Sequence, residues 1–168
     1  FVYLKIMKKY RAIVVGSVLM ILITSFKIVE PVDEEVPYPL GYRKWTHIKS
    51  SFLGPQHPNV NYRGFNHIYA NDLAIEGYTK GNFPEGSVIV VEIVEAVPGE
   101  NHSSEAGRHH MDVMQKDSLR FSSTGGWGYT QFESNNSRRM LTLDEKKACN
   151  SCHLKESDHV FSVLRKVQ

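Results

Sequence analysis

Cysteine is nearly absent: Cys149 and Cys152 are the only two thiols among 168 residues. A zinc site made of two cysteine pairs is excluded, because the one pair has no second. Neither sign of charge prevails. Twenty Lys and Arg face 18 Asp and Glu, a formal net charge of +2, so no electrostatic footprint for nucleic acid is present and the basic residues read as solvated surface. No stretch repeats another and no run is of low complexity, which removes solenoids and arrays. Glycine and proline fall mostly between periodic segments, where turns are expected. With apolar residues at 41% and charged residues at 23%, near the globular average, the length allows one domain with a core, plus a tail.

Both thiols lie in one stretch, Cys149-Asn150-Ser151-Cys152-His153. Two cysteines three residues apart with a histidine directly after them form the pattern that attaches a c-type haem. Each thiol can add across one vinyl group, and the next imidazole can reach the iron as its proximal ligand. One peptide then supplies both tether and axial base. Zinc and a thioredoxin-like redox pair are the alternatives. Zinc would have to find further ligands without cysteine, and a redox pair belongs in a βαβ setting that the flanking sequence lacks.

The first thirty residues differ from the rest. Lys8, Lys9 and Arg11 precede an unbroken apolar run over residues 12–26, closed by Lys27 and an acidic, proline-containing segment at 30–39. A charged stretch followed by an apolar one is the pattern of an export signal. The run is long for a signal peptide and short for a membrane span, and no A-x-A cleavage site follows it. Residues 1–30 are therefore read as a signal peptide or membrane anchor, the only membrane-directed segment, and residues 31–168 as the domain. A periplasmic or exported location agrees with haem attachment outside the cytoplasm.

Along the domain, Tyr42, Trp45 and Ile48 recur at a spacing that predicts an amphipathic helix over residues 41–51. Residues 65–70 read as a short strand after a loop. Asn71 is a good N-cap for a helix over 72–80, with Gly81 where a C-cap glycine belongs. The β-branched stretch 87–97 predicts a central strand buried on both faces, with Ile89, Val91 and Ile93 on one face and Val88, Val90, Val94, Ala96 and Glu92 on the other. The polar residues up to Gly107 read as a hairpin loop, 109–115 and 126–133 as further strands, 134–139 as a polar turn and 141–148 as a helix ending at the first cysteine. The terminal segment Asp158-His159-Val160-Phe161 is expected to pack beneath the haem. The fold class is α+β, a mainly antiparallel sheet with flanking helices.

Six ordered stretches carry a resemblance. They are Tyr42-Arg43-Lys44-Trp45, the Gly81-Asn82-Phe83-Pro84-Glu85-Gly86-Ser87-Val88 turn, Met114-Gln115-Lys116-Asp117-Ser118 with Arg120-Phe121, Gly125-Gly126-Trp127, the CNSCH motif, and Asp158-His159-Val160-Phe161. On these residues the chain resembles the family of cytochrome P-460 and its relative cytochrome c-prime-beta. The resemblance implies an antiparallel β-fold with flanking helices, one covalently attached haem c (iron) per chain, a homodimer, and five-coordinate iron with His153 proximal.

One position departs from the pattern. Family members that oxidise hydroxylamine have a lysine on the strand after the Phe-x-x-Gly turn, joined covalently to the haem edge, and Val91 stands at that position here. The resemblance therefore leans to the cytochrome c-prime-beta type, with Ile89, Val91 and Ile93 expected to line a dry, apolar distal side that favours a neutral gas such as nitric oxide. Enzymatic oxidation of hydroxylamine or a related nitrogen compound is the alternative, with Glu92, Asp144 or Glu145 as candidates for a proton acceptor. A third reading is electron transfer to a redox partner, with Met111, Met114, Met140, His47, His67, His109, His110 or His159 as sixth ligand.

Overall fold

In the computed structural model, which describes residues 35–164, the β-branched run becomes β3 (Val88–Pro98) near the middle of a six-stranded sheet. Its companions are β1 (Thr46–Leu53), β2 (Gly64–Ala70), β4 (Ser103–Lys116), β5 (Trp127–Glu133) and β6 (Arg138–Arg139). They lie in the order β1-β2-β3-β4-β5-β6, each antiparallel to its neighbours. Two helices join them, α1 (Asp72–Lys80) between β2 and β3, and α2 (Leu143–His153) after β6. This is an α+β fold. The described residues belong to one compact unit spanning 33–168, and the leader at 1–30 lies outside them. None of the described helices is long and apolar enough to cross a membrane.

The predicted helix over 41–51 is absent. Tyr42–Lys44 form a single 3-10 turn, and β1 begins at Thr46. The apolar spacing misleads for a physical reason. Tyr42 and Trp45 are three apart because a 3-10 turn repeats every three residues. Ile48 continues the spacing only because a bulge between His47 and Lys49 turns it to the opposite sheet face. The second misreading is the polar stretch before Gly107, which belongs to β4: only residues 99–102 separate the strands, closed by Gly99 N–H donating to His102 O at 2.7 Å. Both faces of the β3–β4 ribbon are exposed there, so the strand shows no apolar alternation. Arg138 and Arg139, read as a turn, add the short β6 beside Phe132 and Gln131.

Each sheet face has its own core. One holds Ile48, Ala70, Ile89, Met114, Trp127, Tyr129 and Val160 with Ala74 and Phe83, and Cys149 packs against it. The other holds Val36, Tyr42, Val90, Met111, Val113, Phe121 and Phe132. Helix α1 forms as read, with Asn71 Oδ1 accepting from Ala74 N–H at 3.0 Å and Gly81 at φ 84°.

Gly64 opens β2 at φ 112°, and a methyl group there would collide with the Val94 carbonyl oxygen, which belongs to a paired strand. Both the backbone conformation and the close approach require glycine. Gly64→Ala is expected to cost about 3 kcal/mol by adding backbone strain to overpacking. A denaturant midpoint unchanged from the parent would contradict this.

Candidate functional site

Helix α2 starts on a capping box: Thr142 Oγ1 accepts from Glu145 N–H at 3.2 Å, and the Glu145 carboxylate accepts from Thr142 N–H at 2.8 Å. The helix runs past the first cysteine and includes the whole motif. Spacings of three and four residues then put Cys149, Cys152 and His153 on one helical face. Both thiols are free, Cys149 half-buried and Cys152 exposed. Burial, then the negative charge of Asp112, pushes the Cys149 thiol up.

His153 is held in a defined state. Its Nδ1 lies 2.6 Å from the backbone oxygen of His159. A carbonyl only accepts, so Nδ1 carries the proton and donates, which leaves Nε2 with a lone pair. The Tyr129 and Phe161 rings pack against the imidazole at 5.1 and 4.8 Å between centroids. Burial lowers the His153 pKa from its ordinary value and keeps the ring neutral. A neutral imidazole fixed by its second nitrogen is what an iron ligand requires. Two free thiols and this imidazole fit a covalently held haem. Among the described residues no group of three or more His, Cys, Asp and Glu side chains is placed to hold a metal ion. In the segment after the motif, Val160 enters the core and the Phe161 ring packs against His153.

The sheet face beneath α2 is more polar than β3 alone suggests. Ile89 and Ile93 are buried and Val91 half-buried. Register places Val91 beside Ile68 on one side and Asp112 on the other, with Gln131 next in the same row. Asp112 accepts from the Tyr62 hydroxyl and, at 2.8 Å, from Gln131 Nε2. Buried His110 opposes Ile93 and packs edge-on to Tyr62. Burial, then the Asp112 charge, raises the Tyr62 phenol. The face expected to be dry is therefore apolar along β3 and at Met114, Trp127 and Tyr129, and polar beside Val91 and Ile93, where His110, Asp112 and Gln131 stand. Sequence reading missed Asp112, Tyr62 and Gln131; a lone carboxylate in the strand His110-Met111-Asp112-Val113-Met114 was the available signal.

Glu92 alternates to the opposite face. It is 2% exposed and accepts from the Tyr42 hydroxyl at 2.8 Å and from the Arg43 guanidinium. Next to it is a groove of about 390 Å³ lined by Tyr38, Tyr42, Arg43, Arg108, Ser134 and Asn136. Asp144 and Glu145 sit in the first turn of α2, Asp144 exposed and Glu145 paired to Arg139 at 2.6 Å. Of the sixth-ligand candidates, His110 and Met114 share the α2 side of the sheet. Met111 is in the other core, His47 and His67 meet at Ser50 Oγ (2.9 and 2.7 Å) on that other face, His109 and Met140 are exposed, and His159 caps His153.

Acid should loosen the haem-free protein in two steps. Burial first of all depresses His110 and His153 below their ordinary 6.5. The unfolded chain then binds more protons, so stability falls as pH drops below about 6.5. For Asp158 burial pulls upward, but bonds from Phe83 N–H, Lys116 and Trp127 prevail and hold it below 3.8. Its contribution is present above that value and is lost as pH falls through the folded pKa. Thermal unfolding of the apoprotein is expected to move to lower temperature from pH 7 to 5, and again below pH 4. A flat profile from 7 to 5 would contradict the histidine assignment.

A family model described as Cytochrome P460 matches residues 39–162. No curated protein matches the chain.

Proposed function

Because the chain belongs to the cytochrome P460 family, we propose that it is an exported cytochrome carrying one haem c, joined to Cys149 and Cys152 and ligated by His153, that binds a small neutral gas such as nitric oxide. The observation that carries this is the state of His153: its Nδ1 donates to His159 O at 2.6 Å on a helix face that also presents two free thiols. When bound, the haem supplies an iron able to take up a diatomic ligand or to exchange an electron. The protein's part is to hold His153 neutral and to exclude water with Tyr129, Phe161 and the core around Ile89.

Val91 supports a binding role of the cytochrome c-prime-beta type. A valine has no amine for a third covalent link, so the chromophore that accompanies hydroxylamine oxidation has no means to form through this position. Mass mapping of the haem peptide is expected to find two thioether links and no lysine link. The reduced protein is expected to bind nitric oxide and not to turn over hydroxylamine with an artificial acceptor. A haem–lysine bond with steady turnover would reverse the assignment.

A second reading, an oxidoreductase acting on hydroxylamine or a related nitrogen compound, is favoured by one observation. The Asp112 carboxylate, which accepts hydrogen bonds from Tyr62 and Gln131, stands on the sheet face that α2 covers and could accept a proton. The same turnover assay separates the two. Export by residues 1–30 and assembly as a homodimer complete the proposal; native mass measurement tests both.

A further inference from the structure

The turn that caps His153 is held in a conformation that its residues do not favour. Asp158 has φ 43° and ψ 39°, and His159 has φ 64°. Two successive non-glycine residues in the left-handed region cost of order 1–3 kcal/mol each, and such strain persists only where surrounding bonds over-determine it. Here the over-determination comes from one side chain. The Asp158 carboxylate accepts from Phe83 N–H at 2.6 Å, from Lys116 Nζ at 2.9 Å and from Trp127 Nε1 at 3.3 Å. These donors come from the α1–β3 loop and from the adjoining ends of β4 and β5. The carboxylate is thus fastened to three rigid points of the sheet domain while its backbone turns the next carbonyl toward α2.

We infer that Asp158 is the positioning residue for the iron-ligating imidazole: its three anchoring bonds hold the left-handed Asp158–His159 pair, and that pair aims the His159 carbonyl at His153 Nδ1. This rests on the proposed role of His153 as the haem ligand. Lys116 is itself fixed, with Nζ 5.2 Å from the centre of the Trp127 ring, so the anchor is a packed unit and not a loose surface pair. Within the turn, Val160 N–H donates to Ser157 O at 3.2 Å, and this bond and the Tyr129 hydroxyl 3.3 Å from His159 Nδ1 keep the rest of the turn in register. A hydrogen bond at the second imidazole nitrogen raises ligand basicity and fixes ring orientation, and loss of such an outer-shell partner costs roughly 10–100-fold in metal affinity or activity. Greater basicity favours the ferric state.

Asp158→Ala removes the anchor, and Asp158→Asn removes its charge while keeping a residue that tolerates the left-handed region. Two readouts on the full chain test the inference. In haem-free protein, the Nδ1 proton of His153 is expected as a slowly exchanging downfield resonance in the parent, weakened in Asp158→Asn and lost in Asp158→Ala. In the haem-loaded protein, the ferrous form is expected to gain about tenfold over the ferric in Asp158→Ala, about 59 mV for one electron. A lower iron–histidine stretching frequency should accompany it, with a smaller shift in Asp158→Asn. A resonance, potential and frequency all unchanged in folded Asp158→Asn would overturn the inference, even if its melting temperature fell. If the haem does not attach through His153, the proposed function fails, while the proton resonance still decides the role of Asp158.

Discussion

Replacing Cys149 and Cys152 together by alanine is expected to give protein from which all haem extracts into acidified organic solvent, whereas the parent retains it on the polypeptide. Either single replacement leaves one thioether and an intermediate result. The two thiols differ in setting. Cys149 is half-buried against the core that contains Ile89, Met114 and Tyr129, and Cys152 is exposed. Cys149→Ala therefore also removes buried contacts and should lower apoprotein stability by about 1 kcal/mol, while Cys152→Ala should not. Expression with a working haem-attachment system, followed by extraction and a pyridine haemochrome spectrum, reads the first effect. Stoichiometric zinc with no haem in the parent would refute the covalent-haem proposal outright.

On the other sheet face, Arg43→Met is expected to destabilise the fold by about 3 kcal/mol, more than Glu92→Met does. The asymmetry follows from burial. Glu92 is 2% exposed whereas the Arg43 side chain is 65% exposed, so removing the arginine strands a carboxylate in the core, while removing the carboxylate leaves a guanidinium that can turn to water. Breaking a buried pair from one side costs about 3–5 kcal/mol, and the exposure of Arg43 places the value at the lower end. Tyr42 cannot compensate. Its phenol already donates to Glu92 at 2.8 Å, and burial, then the Glu92 carboxylate, raises its pKa further. The double replacement should lie near the parent, since neither charge remains. Equal losses from the two single variants, measured by denaturant unfolding, would show that the pair is not buried in solution.

What sequence could and could not disclose follows from the range of the interactions involved. Helix α1 was legible to the residue, because Asn71 and Gly81 act on their own neighbours. Strand β3 was legible because seven of its 11 residues are β-branched. The motif of Cys149, Cys152 and His153 needs only local spacing. By contrast, residues 41–51 read as helical because a 3-10 turn and a bulge together imitate a helical spacing, and a bulge depends on the partner strand. The polar face beside Val91 depends on register between β3, β4 and β5, which a single strand does not encode. The function of Asp158 was invisible for the same reason: its donors Phe83, Lys116 and Trp127 are 75, 42 and 31 residues away.

The strand order β1-β2-β3-β4-β5-β6 has a kinetic consequence. Every strand pairs with its neighbour in sequence, so loop closure is cheap at each step and the sheet can zip without long-range search. The last of the six strands ends at Arg139, so every strand leaves the synthetic machinery before the first cysteine. Among the described strands and α-helices, α2 therefore emerges last, and every strand of the sheet it packs on precedes it. The turn at Ser157–His159 follows α2, so its bond back to Phe83 can close only after the strands and the helix are in place.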